Sequence, residues 1–389
     1  MTTAAAHERN ASRIHTPDYK RLSSLDWTFE EASTRGGIHG VHPYPAKFIP
    51  QIPRALIAAL HPRDGTAVLD PFCGSGTTLV EAALCGIPAV GVDLHPLACL
   101  ISKVKVTPVT ADLTGAAAAA VDRAIRSSAT IPAIPALNHW FKPEAQGALA
   151  ALTEGISAET DVDVRDALRV ALSSIVVRVS NEESDTRYAA IDKPVTAKSV
   201  AEQFFDAARG LAGALAGTWG GLFAAAPVSI INKDILDIER ADIPAPVSLV
   251  VTSPPYPNAY EYWLYHKYRM YWLGMDPVAV RQREIGARPH FFKRNPHTAD
   301  DFQRQMTQVF ALLASVVVPH GHACFQVGTS RIKGEIVDNA AMLREAATRN
   351  GFVEAVSLTR AIPLSRKAFN PRHGRIKEET IVIFRREDT

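Results

Sequence analysis

The chain has 389 residues, of which 47% are hydrophobic and 21% are charged. This balance is typical of a folded globular protein and excludes a disordered or fibrous one. The length exceeds that of an average single domain, so we expect one large domain that carries an inserted module. The formal net charge of +2 permits a nucleic-acid partner without indicating one.

The four cysteines form neither a Cys-x-x-Cys pair nor a Cys/His ligand spacing. This arrangement disfavours a disulfide framework, predicts no metal site and is typical of reduced cytosolic thiols. Residues 1–38 are polar and have no signal-peptide core, so we interpret them as an N-terminal extension of a cytoplasmic protein. The weakly apolar stretch 211–231 is rich in glycine and alanine, and we predict a helix, a turn and a strand there instead of a membrane span.

A proline-rich segment, residues 42–50, leads into the first predicted helix, which covers residues 53–61. A strand at 66–69, a glycine-containing turn, a helix at 77–85 and a strand at 89–92 follow. This strand-helix-strand unit predicts an α/β fold with a mostly parallel, doubly wound sheet.

The alternation stops between residues 110 and 219, where alanine-rich helical patterns cover 113–128, 144–156, 166–180 and 199–215. Strands resume at 228–232 and 248–253, and three more at 322–328, 351–358 and 379–386 close the sheet. We therefore divide the chain into an N-terminal extension (1–38), a first part of the main domain (39–110), a helical insertion (111–225) and a second part (226–389).

The first candidate site is Asp70-Pro-Phe-Cys-Gly-Ser-Gly-Thr-Thr, where a strand gives way to a helix. Gly74 and Gly76 let the backbone approach a ligand that a Cβ would exclude, which is typical of a nucleotide-like cofactor site. A phosphate loop is the alternative, but the pattern G-x-x-x-x-G-K-[ST] is absent and Asp70 would repel phosphate. An acid here favours a cationic ligand, such as the sulfonium and ammonium of S-adenosylmethionine.

Two further acids follow predicted strands. Asp93 follows the strand at 89–92, where a carboxylate can accept hydrogen bonds from both ribose hydroxyls of an adenosyl group. A helix cap or a surface charge is the alternative for such an acid. Asp234 follows the strand at 228–232, where it could face the adenine amino group.

The second candidate site is Thr252-Ser253-Pro254-Pro255-Tyr256, at the end of a hydrophobic strand. Two successive prolines impose a rigid, extended backbone, which leaves the Ser253 hydroxyl and the Pro254 carbonyl free to accept hydrogen bonds from an amino group. Tyr256 can stack on the face of a base. Alone, the sequence is more typical of a loop that ends a strand, and the glycine turn upstream is what favours a site.

Together, D-P-F-C-G-S-G-T-T and T-S-P-P-Y resemble the motifs of the amino-methyltransferases that modify DNA at cytosine N4 or adenine N6. The resemblance covers residues 40–106 and 227–386 and leaves the insertion unmatched. It implies a Rossmann-like class I methyltransferase fold, S-adenosylmethionine as cofactor and double-stranded DNA as partner. It also implies a bacterial or archaeal cytoplasm with the nucleoid as location, and a cognate restriction endonuclease as a further partner.

The resemblance assigns the catalytic role to Ser253, Pro254, Pro255 and Tyr256. Segment 42–50 resembles the part of the family that closes over the methionine end of the cofactor, and a plain entry loop is the alternative. Cys73 is also explained by packing. The candidate cofactor-binding residues are Asp70, Phe72, Cys73, Gly74, Gly76, Thr77, Asp93, Asp234, Pro43, Lys47 and Phe48.

Residues 257–298 mix aromatic and basic side chains, as a protein that binds phosphates and splayed bases requires. An amphipathic helix followed by a solvated basic loop is the alternative. The target-recognition region is either this stretch or the insertion. The candidate DNA-binding residues are Arg281, Arg283, Arg288, Lys293 and Arg294.

The predicted reaction is methyl transfer to the amino group of a base that has been flipped out of the duplex. Ser253 in the first position resembles the cytosine-N4 members more than the adenine members, which usually have Asp or Asn there. The glycine turn precedes S-P-P-Y, which departs from the common bacterial order and leaves the subgroup open. The rival functions are adenine-N6 methylation, methylation of an RNA base and regulation by an inactive DNA-binding protein.

Overall fold

The structure is a computed structural model that describes residues 16–34, 36–185, 187–221, 226–258, 260–362 and 377–388. Within these ranges, seven strands form one sheet and four more form two small hairpins. The strands in chain order are β1 (Ala67–Asp70), β2 (Ala89–Asp93), β3 (Glu182–Ser184), β4 (Arg187–Ala190), β5 (Val228–Asn232), β6 (Val247–Thr252), β7 (Val317–Gly328), β8 (Ser330–Ile332), β9 (Glu335–Val337), β10 (Phe352–Ala361) and β11 (Glu378–Arg386).

Helices cover both faces of the large sheet. In chain order they are α1 (Tyr19–Ser24), α2 (Gln51–Leu60), α3 (Thr77–Leu84), α4 (Pro96–Val106), α5 (Leu113–Ile125), α6 (Leu137–Trp140), α7 (Pro143–Ser157), α8 (Val162–Ile175), α9 (Ala197–Trp219), α10 (Tyr262–Trp272), α11 (Pro277–Arg283), α12 (Ala299–Val316) and α13 (Asn339–Thr348). Short 3-10 turns cover Gly37–Gly40, Ile235–Asp237, Arg240–Asp242 and Arg288–Phe291.

The large sheet has the strand order β10-β11-β7-β6-β1-β2-β5. Strands β5, β2, β1, β6 and β7 are parallel, whereas β11 runs antiparallel to both of its neighbours. From β1 the chain proceeds to β2 and β5 on one side and then returns to β6 on the other side of β1. The order therefore reverses between β1 and β6, and the carboxyl ends of these two strands border the crevice where doubly wound folds bind ligands.

Alternate residues of the strands divide between two apolar clusters, one on each face of the sheet. Val68 of β1 packs in the cluster that α2, α3 and α4 cover, whereas its neighbour Leu69 packs with α12 and α13. Because β1 and β6 are buried on both faces, their sequences AVLD and VSLVVT show no polar alternation.

The predicted fold class is confirmed, and the seven predicted strand positions all fall on strands of the large sheet. The four helical patterns of the predicted insertion coincide with α5, α7, α8 and α9. The hairpins β3–β4 and β8–β9 were not predicted. Their strands have only three or four residues, which is too short for an alternating pattern to be distinguished from a loop.

The helices of segment 111–225 pack into the apolar cluster on the α2–α4 face of the sheet. Phe141, for example, is fully buried and makes edge-on ring contacts with Tyr268 and Trp272 of α10, at centroid distances of 5.6 and 5.5 Å. A hydrophobic core therefore continues from the sheet into this segment. The division of the chain at residues 111 and 225 remains a prediction.

The described part of the N-terminal extension also packs on the main domain. Leu22 of α1 and Trp27 are buried, and the Trp27 carbonyl accepts a hydrogen bond from Arg360 Nε of β10 at 3.0 Å. In the residues that the structure describes, no helix has the length and apolar character that crossing a membrane requires.

Phe141→Ala is expected to lower the free energy of unfolding by about 3–5 kcal/mol, because it leaves a cavity in the core that the insertion shares with α10. Since the core is shared, we expect one cooperative transition in urea, shifted as a whole. Ile125→Ala on α5 is the control, because Ile125 is 76% exposed and its truncation should change the unfolding free energy by less than about 0.5 kcal/mol. Two separate transitions, of which only one moves, would contradict the shared core.

Candidate active site at the carboxyl ends of β1, β2 and β6

The turn between β1 and α3 has a backbone that only glycine adopts without strain at two positions. Gly74 and Gly76 have φ angles of +49° and +78°. A Cβ at Gly76 would lie 2.8 Å from Ser102 Oγ and 3.0 Å from its Cα, so the turn approaches α4 closely. Two side chains of α4 hold this turn in place. Ser102 Oγ donates to the Gly74 carbonyl and Lys105 Nζ donates to the Ser75 carbonyl, both at 2.8 Å.

Asp70, the last residue of β1, is buried and joins this turn to β6. Its Oδ1 accepts hydrogen bonds from Thr252 Oγ1 at 2.7 Å and from the Phe72 amide at 3.1 Å. Burial raises the pKa of the carboxyl group to about 6, although these bonds favour its ionised form. The carboxylate thus lies at the point where the strand order reverses.

Asp93, the last residue of β2, accepts two backbone hydrogen bonds. Oδ2 accepts from the Gly74 amide and Oδ1 from the His95 amide, both at 2.8 Å. Burial raises the pKa of Asp93 to about 6 as well. Each carboxylate oxygen keeps a second lone pair for a ligand hydroxyl.

A cleft opens beside these two acids. Residues of both predicted motifs line it, together with residues from the segment before α2 and from the stretch around α11. The predicted site residues among its lining are Lys47, Phe48, Asp70, Phe72, Cys73, Gly74, Thr77, Asp93, Asp234, Ser253, Pro255 and Arg283.

The remaining predicted residues lie around this cleft. Gly76 begins α3 as its N-cap, and Pro43 lies next to the lining, where its carbonyl contacts His42 Nδ1 at 2.7 Å. Pro254 is buried outside the lining. Lys47 lines the cleft and donates to the His39 carbonyl.

Tyr256 lies in the apolar cluster on the α12–α13 face and outside the lining of the cleft. Its side chain is 9% exposed, and its hydroxyl donates to Glu379 Oε1 at 3.0 Å. Glu379 also accepts hydrogen bonds from Gln326 of β7 and Arg360 of β10. Tyr256 therefore anchors the S-P-P-Y segment to three strands, and the predicted stacking on a base would require its ring to become accessible.

Asp234 and Arg283 pair with each other, although they were predicted to contact different ligands. Arg283 Nε donates to Asp234 Oδ2 at 3.0 Å and its Nη2 pairs with Asp237, while Asp234 Oδ1 accepts from the Leu236 amide. Two carboxylates thus pair with Arg283 at the rim of the cleft, and its contact with DNA remains a prediction. The adenine contact predicted for Asp234 remains a prediction.

The other predicted DNA-binding residues are exposed and outside the cleft. The Arg281 guanidinium lies 5.3 Å from the centre of the Trp263 ring, and that of Arg288 lies 5.5 Å from the Phe292 ring. Lys293 Nζ is 3.4 Å from His297 Nε2, and Arg294 is solvent-exposed. They form a basic surface next to the cleft, and their contact with DNA remains a prediction.

Glu284 was not predicted, yet its buried carboxylate lines the cleft. It accepts hydrogen bonds from the amides of Tyr262 and Trp263, at 2.9 and 3.0 Å, and so satisfies the first amides of α10. Burial raises its pKa to about 8. No sequence pattern distinguishes Glu284 from a surface charge, because its hydrogen bonds depend on α10, which begins 22 residues earlier in the chain.

Aromatic and imidazole rings form another unpredicted wall of the cleft. Tyr44 stacks on Tyr262 at a centroid distance of 5.9 Å, and both line the cleft. His95 also lines it, and His266 packs 5.2 Å from His95. Neither ring nitrogen of His95 or His266 has a protein hydrogen-bond partner, and burial lowers both pKa values, that of His95 to about 3. Both imidazoles are therefore neutral.

These features fit a cofactor that combines an adenosyl group with positive charge. The glycine turn offers backbone where a side chain would collide, and Asp70, Asp93 and Glu284 give the cleft an acidic lining. A phosphate-bearing cofactor fits poorly beside three buried carboxyl groups. Within the described ranges, no group of three or more metal-ligating side chains is arranged to hold a metal ion.

A seven-stranded sheet of this order, with one reversed strand and a glycine turn after β1, defines a Rossmann-like class I methyltransferase fold. Residues 5–104 match the N6/N4 methyltransferase family model, which is described as DNA methylase.

Three curated relatives share parts of the sequence. Type II methyltransferase M.MjaII of Methanocaldococcus jannaschii is 42% identical over 86 residues, which are 21% of this chain and 16% of that protein. Type II methyltransferase M.MvaI of Kocuria varians is 28% identical over 170 residues, or 40% of this chain and 37% of that protein. The tRNA (guanine(10)-N2)-dimethyltransferase of M. jannaschii is 39% identical over 51 residues, or 13% of this chain and 14% of that protein.

The chain thus spans well under half the length of each of these relatives. The family model and the two type II methyltransferases support the resemblance to S-adenosylmethionine-dependent DNA amino-methyltransferases that the two motifs predicted.

Gly76→Ala is expected to weaken S-adenosylmethionine binding at least about tenfold, because its Cβ would lie 2.8 Å from Ser102 Oγ of α4 at a positive φ. Isothermal titration calorimetry measures this affinity. Gly86→Ala is the matched control, since Gly86 also has a positive φ, +72°, but its Cβ would meet nothing within 4 Å. Equal losses of affinity in the two variants would show that backbone strain weakens cofactor binding, and not the close approach of Gly76 to α4.

The preference for S-adenosylmethionine over S-adenosylhomocysteine is expected to increase about threefold to tenfold between pH 6.5 and 8.5. Glu284 has a raised pKa of about 8, so it loses its proton in this range, and only the ionised carboxylate attracts the sulfonium. The amino groups of the two ligands also titrate, and the sulfonium lowers the pKa of one of them, so Glu284→Gln supplies the baseline for the ratio. The rise of the ratio with pH should be clearly smaller in Glu284→Gln, and an equal rise in both proteins would contradict this role.

Proposed function

We propose that this protein transfers the methyl group of S-adenosylmethionine to the N4 amino group of cytosine in double-stranded DNA. One observation carries the proposal: the glycine turn after β1 and the S-P-P-Y segment after β6 line a single cleft. The Thr252–Asp70 hydrogen bond joins them directly, although the two residues are 182 positions apart. A cofactor on the turn and an amino group at Ser253 would therefore face each other.

The cofactor-side assignments follow the cleft. The glycine turn and Asp93 would hold the adenosyl group, and Lys47 and Phe48 would border its methionine end. When bound, S-adenosylmethionine supplies an electrophilic methyl group. Asp70 would contribute negative charge that favours the sulfonium over its neutral product, and Glu284 would add to this charge as its carboxyl group ionises.

On the substrate side, the Ser253 hydroxyl would accept a hydrogen bond from the exocyclic amino group, and the Pro254 carbonyl would accept a second one after a small adjustment of the segment. These acceptors favour the pyramidal amino group, whose lone pair is free for attack. Positioning and electrostatics then account for most of the rate. The base must leave the duplex, because a stacked amino group cannot enter the cleft.

The choice of cytosine depends on Ser253, since the adenine members of the family usually have Asp or Asn in that position. Adenine N6 has the same geometry and remains the first rival. The 51-residue match to a tRNA dimethyltransferase makes an RNA base the second. Type II methyltransferases imply a companion endonuclease that cleaves the same site, and the proposal includes this class of partner.

The test is the identity of the methylated nucleoside. DNA and total tRNA are incubated with the protein and tritiated S-adenosylmethionine, digested to nucleosides and separated by chromatography. We expect the label in N4-methylcytosine from duplex DNA. Label in N6-methyladenine would replace the cytosine assignment, label only in tRNA would overturn the DNA assignment, and no label with DNA binding retained would indicate a regulator.

Ser253→Ala is expected to lower kcat by about 10–1,000-fold, because it removes an acceptor that positions the amino group. Cofactor affinity should change less than twofold, since the glycine turn is intact. Ser157→Ala is the matched control, because Ser157 is exposed on α7 and bonds only within its own helix, to the Thr153 carbonyl. An unchanged kcat in Ser253→Ala would show that Ser253 does not position the amino group.

A further inference from the structure

The hairpin β8–β9 begins directly after β7, at the carboxyl edge of the sheet where the cleft lies. Its turn residues Lys333 and Gly334 have φ angles of +50° and +94°, as a tight two-residue hairpin turn requires. Ile332 and Val337 of the hairpin form a small apolar cluster with Phe291, at the end of the 3-10 turn Arg288–Phe291. We call residues 288–297 and 330–337 together the outer lobe.

The outer lobe is fastened to the catalytic segment. Asn258, two residues after Tyr256, donates its side-chain amide to the Arg331 carbonyl at 2.8 Å. The Asn258 backbone amide donates to the Gly286 carbonyl, also at 2.8 Å, and Gly286 packs against the Tyr256 carbonyl. A molecule that contacts the outer lobe is therefore adjacent to the S-P-P-Y segment.

The solvent face of the outer lobe exposes two large apolar side chains. Ile336 is 67% exposed and Phe292 is 66% exposed, whereas Ile332 and Val337 on the other face of the hairpin are buried. Arg331 pairs with Ile336 across the two strands, so both side chains lie on the same solvent face. About two thirds of each of these side chains is therefore left uncovered by the chain.

The exposed apolar residues stand among cations. The outer lobe contains one acid, Glu335, which is exposed at the hairpin turn. Its exposed basic residues are Arg288, Lys293, Arg294, Arg331 and Lys333. Five exposed cations against one acid complement a polyanion, and the two exposed apolar side chains can contact its bases where the stack is parted. A neutral or basic protein surface matches this charge poorly.

We propose that the outer lobe is the surface that opens duplex DNA at the target base. The cations bind the phosphates, and Ile336 and Phe292 contact the bases exposed when the target leaves the stack. The inference rests on the proposed function, because a flipped base is what gives the two apolar side chains a partner. It adds the hairpin, which lies outside the stretch 257–298, to the contact with DNA.

The first experiment measures DNA affinity without methylation. Fluorescence anisotropy of a labelled 30-base-pair duplex is recorded with S-adenosylhomocysteine over a series of salt concentrations. Lys333→Asn keeps a residue that tolerates positive φ and removes one phosphate contact, so the slope of log affinity against log salt should fall by about one. Lys20→Asn on α1 is the matched control. Its neighbour Tyr19 contacts His322, which pairs with Leu249 near the amino end of β6, far from the cleft.

The second experiment measures methylation by the double variant Ile336→Ser/Phe292→Ser. Two duplexes carry the methylated sequence context, one with the target base paired and one with an abasic site opposite it. We expect kcat/KM to fall at least about tenfold on the paired duplex and less than threefold on the abasic one, because an unpaired base leaves the stack at little cost. Leu84→Ser is the control, since Leu84 is 38% exposed at the end of α3 away from the glycine turn and lies outside both candidate target-recognition regions.

The outcomes separate the two proposals. Unchanged salt slope in Lys333→Asn, or equal losses of the double variant on both duplexes, overturns the role of the outer lobe. A change of oligomeric state in the double variant with unaltered DNA affinity also overturns it and indicates a contact between copies of the chain. If the unmodified protein binds the duplex but transfers no methyl group, the proposed function fails, and the salt slope still decides whether the lobe contacts DNA.

Discussion

The hydrogen bond from the Thr252 hydroxyl to the Asp70 carboxylate joins the carboxyl ends of β1 and β6, where the strand order reverses. In an open parallel sheet, this is the only kind of place where two adjacent strand ends diverge and leave a crevice. The glycine turn continues from one of these residues and the S-P-P-Y segment from the other. The positions of both segments in the cleft therefore depend on the register between two central strands that are buried on both faces.

Burial gives this crevice its electrostatic character. Asp70, Asp93 and Glu284 all have a raised pKa because the surrounding helices exclude water. The neutral imidazoles of His95 and His266 add no compensating positive charge. A cleft with this lining is costly to ionise when empty, so a cation that enters it gains more than it would at the surface. An acidic side chain can therefore occupy the place at which nucleotide-binding folds bind a phosphate group.

The elements around the sheet fasten the two sides of the cleft to one core. Segment 111–225 shares an apolar cluster with the sheet, and the Phe141 contacts tie it to α10. At the other end of α10, Glu284 holds the first amides and Tyr262 stacks on Tyr44. The outer lobe is joined to the same region through Asn258. The cleft is thus bounded by segments from four separate parts of the chain.

The sequence by itself determined the strands, the insertion helices, the glycine turn and the S-P-P-Y segment. Each of these depends on residues that are neighbours in the chain: alternation or continuity of apolar residues, glycine where φ is positive, and two consecutive prolines. The family and its cofactor followed from the same local patterns. Such local features can be predicted from the sequence because the residues that produce them are only a few positions apart.

Only the tertiary structure decided which polar groups meet. It paired Arg283, a predicted DNA contact, with Asp234, 49 residues away. It buried Tyr256 against Glu379, 123 residues away, and it turned Glu284 into a lining residue of the cleft. These outcomes depend on burial and on charges that folding brings together. Neither has a signature in the local sequence, because a solvated acid and a buried acid are the same residue type.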